Sequence, residues 1–155
     1  MTDRALLHAA LALKALDRAG WKRVGIVRPE SVAAHSWGVT FAALLRCPPT
    51  LDREKVLIMA LLHDLAEATV GDITPYDGVS KEEKRQREDA AIRHLLGDHP
   101  ELLSIWEEAE QRQSPEAHFV KEMDLLDLGL TAESYAAQAD TSEFLPSAAA
   151  ALGKL

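Results

Sequence analysis

The chain has 155 residues, of which 47% are hydrophobic and 27% charged, with a formal net charge of -8 and a single cysteine. That length suits one domain able to bury about 70% of its unfolded surface without disulfides, and the lone Cys47, with no metal-type spacing around it, fits a structural thiol in a reducing, cytosolic compartment. The acidic balance argues against a nucleic-acid polyanion as partner. The absence of a basic leader followed by an apolar run, and of any 18-residue apolar window, predicts a soluble, cytoplasmic protein with no membrane partner.

Leucine and alanine dominate and apolar residues recur at helical spacing, so the predicted class is all-α, a single domain over residues 1–155. A first helix is expected from Asp3 to Ala19, with Thr2 or Asp3 as cap and Gly20 past its end. Gly20 to Glu30 reads as a loop carrying Trp21, Arg23 and Arg28, a composition suited to substrate contact. Ser31 caps a second helix, Val32 to Arg46, stopped by Cys47-Pro48-Pro49. Asp52 caps a third, Arg53 to Val70, closed by Gly71 in the left-handed conformation. Asp72 to Val79 is a loop placed to form a wall or lid, and Ser80-Lys81-Glu82-Glu83 is a capping box opening a charged, largely solvated helix that ends near Gly97. An amphipathic helix follows from Pro100 to Gln113. Ser114-Pro115 then starts a helix through Val120, Met123, Asp124 and Leu128, and Phe144 to Leu155 forms a short alanine-rich one.

Polar groups stand where core is expected on three of these helices: His35 on the second, His63 and Asp64 on the third, Asp124 on the sixth. Glu67 shares a helical face with His63 and Asp64. Two imidazoles and two carboxylates make a mixed nitrogen and oxygen set suited to Mn, Co, Fe, Ni or Zn and poor for Ca. A His-Asp doublet inside a helix is nevertheless most often a hydrogen-bonded pair, so the residues alone leave both readings open. His8, His94, His99 and His118 lack an acidic partner at a comparable position and read as surface or packing residues.

The three blocks Arg28-Pro29-Glu30-Ser31-Val32-Ala33-Ala34-His35-Ser36-Trp37, His63-Asp64-Leu65-Ala66-Glu67-Ala68-Thr69-Val70-Gly71-Asp72-Ile73-Thr74-Pro75 and Val120-Lys121-Glu122-Met123-Asp124, in that order, resemble the HD-domain metal-dependent phosphohydrolases, in particular their 5'-deoxynucleotidase branch. The resemblance spans about residues 18 to 136. It implies a helical bundle in which His35, His63, Asp64 and Asp124 hold one divalent ion, commonly cobalt or manganese. It also implies hydrolysis of deoxyribonucleoside 5'-monophosphates to deoxynucleoside and phosphate, by a homodimer.

Within that expectation Glu67 orients a water and takes or returns a proton, or else only supports His63. Asp72 binds the sugar hydroxyl or protonates the leaving oxygen, unless it is a simple turn residue. The family pairs an arginine that contacts the nucleotide with a tryptophan that helps exclude a 2'-hydroxyl, and the matching group here is Arg18-Ala19-Gly20-Trp21. Some relatives have arginine where Gly20 stands, so Arg23 and Arg28 are alternatives to Arg18. Asp127, on the face of Asp124, is a supporting group, a substrate contact or a plain surface carboxylate, and Lys81 is close enough in sequence to the Asp72 loop to meet a phosphate. The alternatives are another phosphate ester or a nucleotide polyphosphate as substrate, or a regulatory module that binds a nucleotide without turnover.

Overall fold

A computed structural model describes residues 1–155 and is all-α. Its helices are α1 (Asp3–Leu11), α2 (Ala19–Arg23), α3 (Val32–Arg46), α4 (Arg53–Leu62), α5 (Glu67–Val70), α6 (Lys81–Leu96), α7 (Pro100–Gln111), α8 (Pro115–Tyr135) and α9 (Leu145–Leu152), with 3₁₀ turns at Ala12–Lys14 and Ser142–Phe144. The expected caps form. Ser31, Asp52, Ser80 and Ser114 each accept a hydrogen bond from the amide three residues on, at 3.1 Å. α8 is the central post: α3, α4, α7 and α9 all pack on it. One core lies among α3, α4 and α8 through Val39, Val56, Met59, Met123 and Leu126, and a second holds Val32, Ile92, Leu95, Leu96 and Trp106 around α6. The first core takes in Met59 and Ala60, just before the His-Asp doublet, and the second takes in Leu65 and Ala66, just after it.

Five expectations need correction. The first helix does not reach Ala19. It ends at Leu11, because the chain at Leu16 to Arg18 leaves to pair with the backbone before α3, Val32 N–H donating to Leu16 O (2.8 Å) and Arg18 N–H to Glu30 O (3.0 Å). Trp21 consequently lies in the short helix α2 and not in a loop. The helix before α8 stops at Gln111, where Arg112 turns left-handed at φ 50°.

The largest difference lies in the predicted third helix, which is not continuous. After Leu62 the backbone bonds tighten to three-residue spacing, with Leu65 N–H on Leu62 O, Glu67 N–H on Asp64 O and Ala68 N–H on Leu65 O at 2.9 to 3.1 Å. At that spacing residues three apart eclipse one another, so Glu67 comes directly over Asp64. The tightening also leaves Ala60 O without an amide partner and frees His63 O, which accepts from the Trp106 indole N–H at 3.3 Å. Gly71 ends α5 at φ 80°, ψ 171°, an extended conformation with positive φ that is essentially confined to glycine, in place of the left-handed helical one expected.

Candidate metal centre and substrate cavity

His35 rises from α3, His63 and Asp64 from the tightened turn after α4, and Asp124 from the middle of α8, and their donor atoms converge. His35 Nε2 lies 3.4 Å from His63 Nε2, 3.1 Å from Asp124 Oδ1 and 3.7 Å from Asp64 Oδ2, which is itself 3.2 Å from His63 Nε2. The far nitrogen of each ring is already committed. His63 Nδ1 is 2.7 Å from Ala60 O, the carbonyl that the helix break released, and His35 Nδ1 is 2.7 Å from Asp127 Oδ2. A carbonyl only accepts, so Nδ1 of His63 carries the proton, and the Asp127 carboxylate asks the same of His35. Both Nε2 lone pairs then point at one spot, the arrangement by which a protein orients imidazole ligands.

The charges favour a cation there. Burial alone would push the His63 imidazole down, but Asp64 and Asp124 override it and hold it up at about 9. His35 is likewise held up, burial opposing and Asp124 and Asp127 prevailing. Asp64 and Asp124 go the other way: against the upward push of burial, the neighbouring imidazoles keep both carboxyls below the usual carboxylate range. A divalent cation satisfies this field with both rings neutral, so the donor set fits one.

Glu67 completes the inner end. It is 5% exposed, and its Oε2 is buried without a hydrogen-bond partner. Burial, reinforced by Asp64 and Asp72, pushes its carboxyl up to about 9. An unpartnered buried oxygen of this kind costs about 1–3 kcal/mol, and the residue that carries it lines a cavity.

That cavity, of about 440 Å³, is walled by α2, the loop after α5, α8 and the Ser142–Phe144 turn. Arg18, Trp21, Asp64, Glu67, Asp72 and Asp124 all line it. Arg18 reaches Asp64 Oδ2 at 3.4 Å, and Asp72 Oδ2 accepts from Ala19 N–H at 2.7 Å, fixing the start of α2 over the site. Trp21 is only 1% exposed; its indole N–H donates to Glu30 at 3.0 Å and its ring packs on Tyr135 and Phe144, so it shapes the wall from behind. Arg23 sits on the rim, whereas Arg28 is exposed and outside the lining, as is Lys81.

Sequence reasoning passed over Lys121, Lys84 and Glu30. Lys121 Nζ lies 2.6 Å from Asp124 Oδ2, and its place three residues before Asp124 on the same helical face was the available signal. Lys84, one turn beyond Lys81, lines the cavity and donates to Ile73 O at 3.0 Å. Glu30 gave no local signal, since its partner Trp21 lies across an irregular turn.

Residues 10–149 match the family described as the HD domain. The chain belongs to the HD-domain family. It is 41% identical over 128 residues to the protein named 5'-deoxynucleotidase HDDC2 of Danio rerio, covering 79% of this chain and 64% of that one. It is 31% identical over 154 residues to 5'-deoxynucleotidase YGK1 of Saccharomyces cerevisiae, covering 91% and 72%. The chain therefore spans slightly less than two thirds of the length of the Danio rerio relative. A conserved hypothetical protein from Pyrococcus furiosus superposes with a TM-score of 0.83 at 33% identity, over 94% of this chain and 87% of that one. The family resemblance read from the three sequence blocks and the all-α class both hold.

Proposed function

We propose that this chain is a metal-dependent 5'-deoxynucleotidase that converts a deoxyribonucleoside 5'-monophosphate and water to deoxynucleoside and phosphate. The observation that carries the reading is the close pair of Nε2 atoms with two carboxylates around them, next to a 440 Å³ cavity whose lining includes Asp64, Asp124 and the unpartnered, buried Glu67. His35, His63, Asp64 and Asp124 hold one divalent ion, and the mixed donor set suits cobalt or manganese, with iron, nickel and zinc as alternatives. Such an ion supplies a Lewis acid for the phosphoryl group and a means of activating water near neutral pH.

The remaining steps belong to side chains. A cation held at the site would offset the Asp64 charge that helps keep the Glu67 carboxyl protonated, and Glu67, once ionised, orients the attacking water and takes its proton, then returns one to the leaving 5'-oxygen. Arg18, which lines the same cavity as Lys121, meets the phosphoryl oxygens, replacing part of its contact with Asp64. Asp72 has one oxygen on Ala19 N–H, which leaves the other to accept from a sugar hydroxyl. Trp21, fixed by Glu30, limits the room beside the sugar and so disfavours a 2'-hydroxyl.

The chain acts as a homodimer in the cytoplasm. Ala34, Trp37, Phe41 and Leu44 are exposed on α3 at the spacing of a helical seam, with Trp37 and Phe41 stacked at 5.3 Å and 4° between planes. No helix is long and apolar enough to cross a membrane. Sedimentation of Trp37→Glu tests the dimer: a shift to monomer is expected, and an unchanged dimer overturns this face as the interface.

Phosphate release from dAMP and AMP, with added cobalt or manganese and after chelation, tests the activity. Metal-dependent release that favours dAMP is expected. Binding without release would make the chain a nucleotide-binding module, and equal rates on both sugars would remove the role of Trp21.

A further inference from the structure

The cavity changes character from its inner end to its rim. Inside, Arg18, Asp64 and Asp124 are each less than 20% exposed and charged; at the rim Tyr76 is 67% exposed and aromatic. An exposed tyrosine on a loop is ordinary. This one is held in place from two separate parts of the chain, which also hold each other. The Arg23 guanidinium of α2 stands 3.9 Å from its ring centroid, its hydroxyl donates to Glu143 Oε2 at 3.3 Å, and Glu143 pairs in turn with Arg23. The loop beneath is built to carry it. Asp77 Oδ2 accepts from both Thr74 N–H (2.6 Å) and Thr74 Oγ1 (2.7 Å), and Lys84 ties Ile73 O to α6. Phe144, half-buried against Trp21, adds a second aromatic to the same lining.

We propose that Tyr76, braced by Arg23 and Glu143, is the platform on which the nucleobase of the substrate stacks. The inference rests on the nucleotide reading above and extends it to the part of the substrate that does not react. With the phosphate at the inner end, the base of a 5'-mononucleotide extends toward the rim. A cation on one face of the phenol ring leaves the other face for a π-system, and stacking of this kind accepts any base, because every base presents a flat face. The platform therefore raises affinity for base-bearing phosphate esters without choosing strongly among the bases.

The test compares dAMP with 2-deoxyribose 5-phosphate, which carries the phosphate ester without a base. In Tyr76→Ala the ratio of kcat/KM for dAMP to that for the sugar phosphate falls about ten-fold, the size expected for loss of one base–aromatic stack, and in Tyr76→Phe, which keeps the ring, it stays close to the wild-type value. A ratio unchanged in Tyr76→Ala, whether both activities drop or neither does, overturns the proposal and leaves the nucleotidase reading standing. The same ratio taken as dissociation constants by calorimetry on cobalt-loaded protein frees the test from turnover. A wild type that binds dAMP through Tyr76 but releases no phosphate overturns the nucleotidase reading alone, and one that binds neither compound overturns both.

Discussion

The inner end of the cavity and its rim are held by different means. His35 and Asp124 are placed by α3 and α8 and His63 by the residue that caps α4, elements that share a core, and each imidazole is fixed a second time through its far nitrogen. Arg23, Tyr76 and Glu143 come from a five-residue helix, a loop and a 3₁₀ turn, and what orders them is mostly their contact with one another. Groups that must meet an ion to within a fraction of an ångström sit on rigid helices, and groups that follow the shape of a ligand sit where adjustment costs little.

Substitutions can separate the two regions. Glu67→Gln keeps the size of the side chain and removes its base, so phosphate release falls about 10²- to 10⁴-fold while cobalt binding, followed by absorption spectroscopy, persists. A loss of activity that tracks a loss of metal would instead make Glu67 a support for His63. Asp127→Ala leaves His35 Nδ1 without its carboxylate and weakens metal affinity about 10- to 100-fold. Gly38→Ala acts on the same bond from the other side. A Cβ there would collide with Asp127 Oδ1, so cobalt affinity falls in the lower part of that range although no ligand has changed. At the rim, Gly78 has φ 71° and open space around it, so Gly78→Ala adds backbone strain of roughly 1 kcal/mol, seen as a lowered melting temperature, with metal affinity untouched. If the Gly78 variant lost metal as the Gly38 variant does, the two regions would not be independent.

The same division governs what the sequence made legible. Ser31, Asp52, Ser80 and Ser114 announce helix starts through bonds to amides three residues away, and His35, His63, Asp64 and Asp124 stand out as polar groups on apolar stripes. The break after Leu62 has no such local mark, because it depends on a ring taking the Ala60 carbonyl and on Trp106 reaching His63 from 43 residues away. The early end of α1 was equally hidden, since the backbone around Arg18 answers to Glu30 and not to its own neighbours. The rim was the least visible, with Arg23 and Glu143 separated by 120 residues.

The tightened turn between α4 and α5 also carries a lesson for design. An engineer seeking stability would straighten Arg53 to Val70 into one regular helix, restoring an amide partner to the Ala60 carbonyl. The repaired helix would score better on every local criterion, yet His63 would lose the acceptor that holds the proton on its far nitrogen and leaves the near one free to bind. In this fold the flaw in the helix is the component to copy.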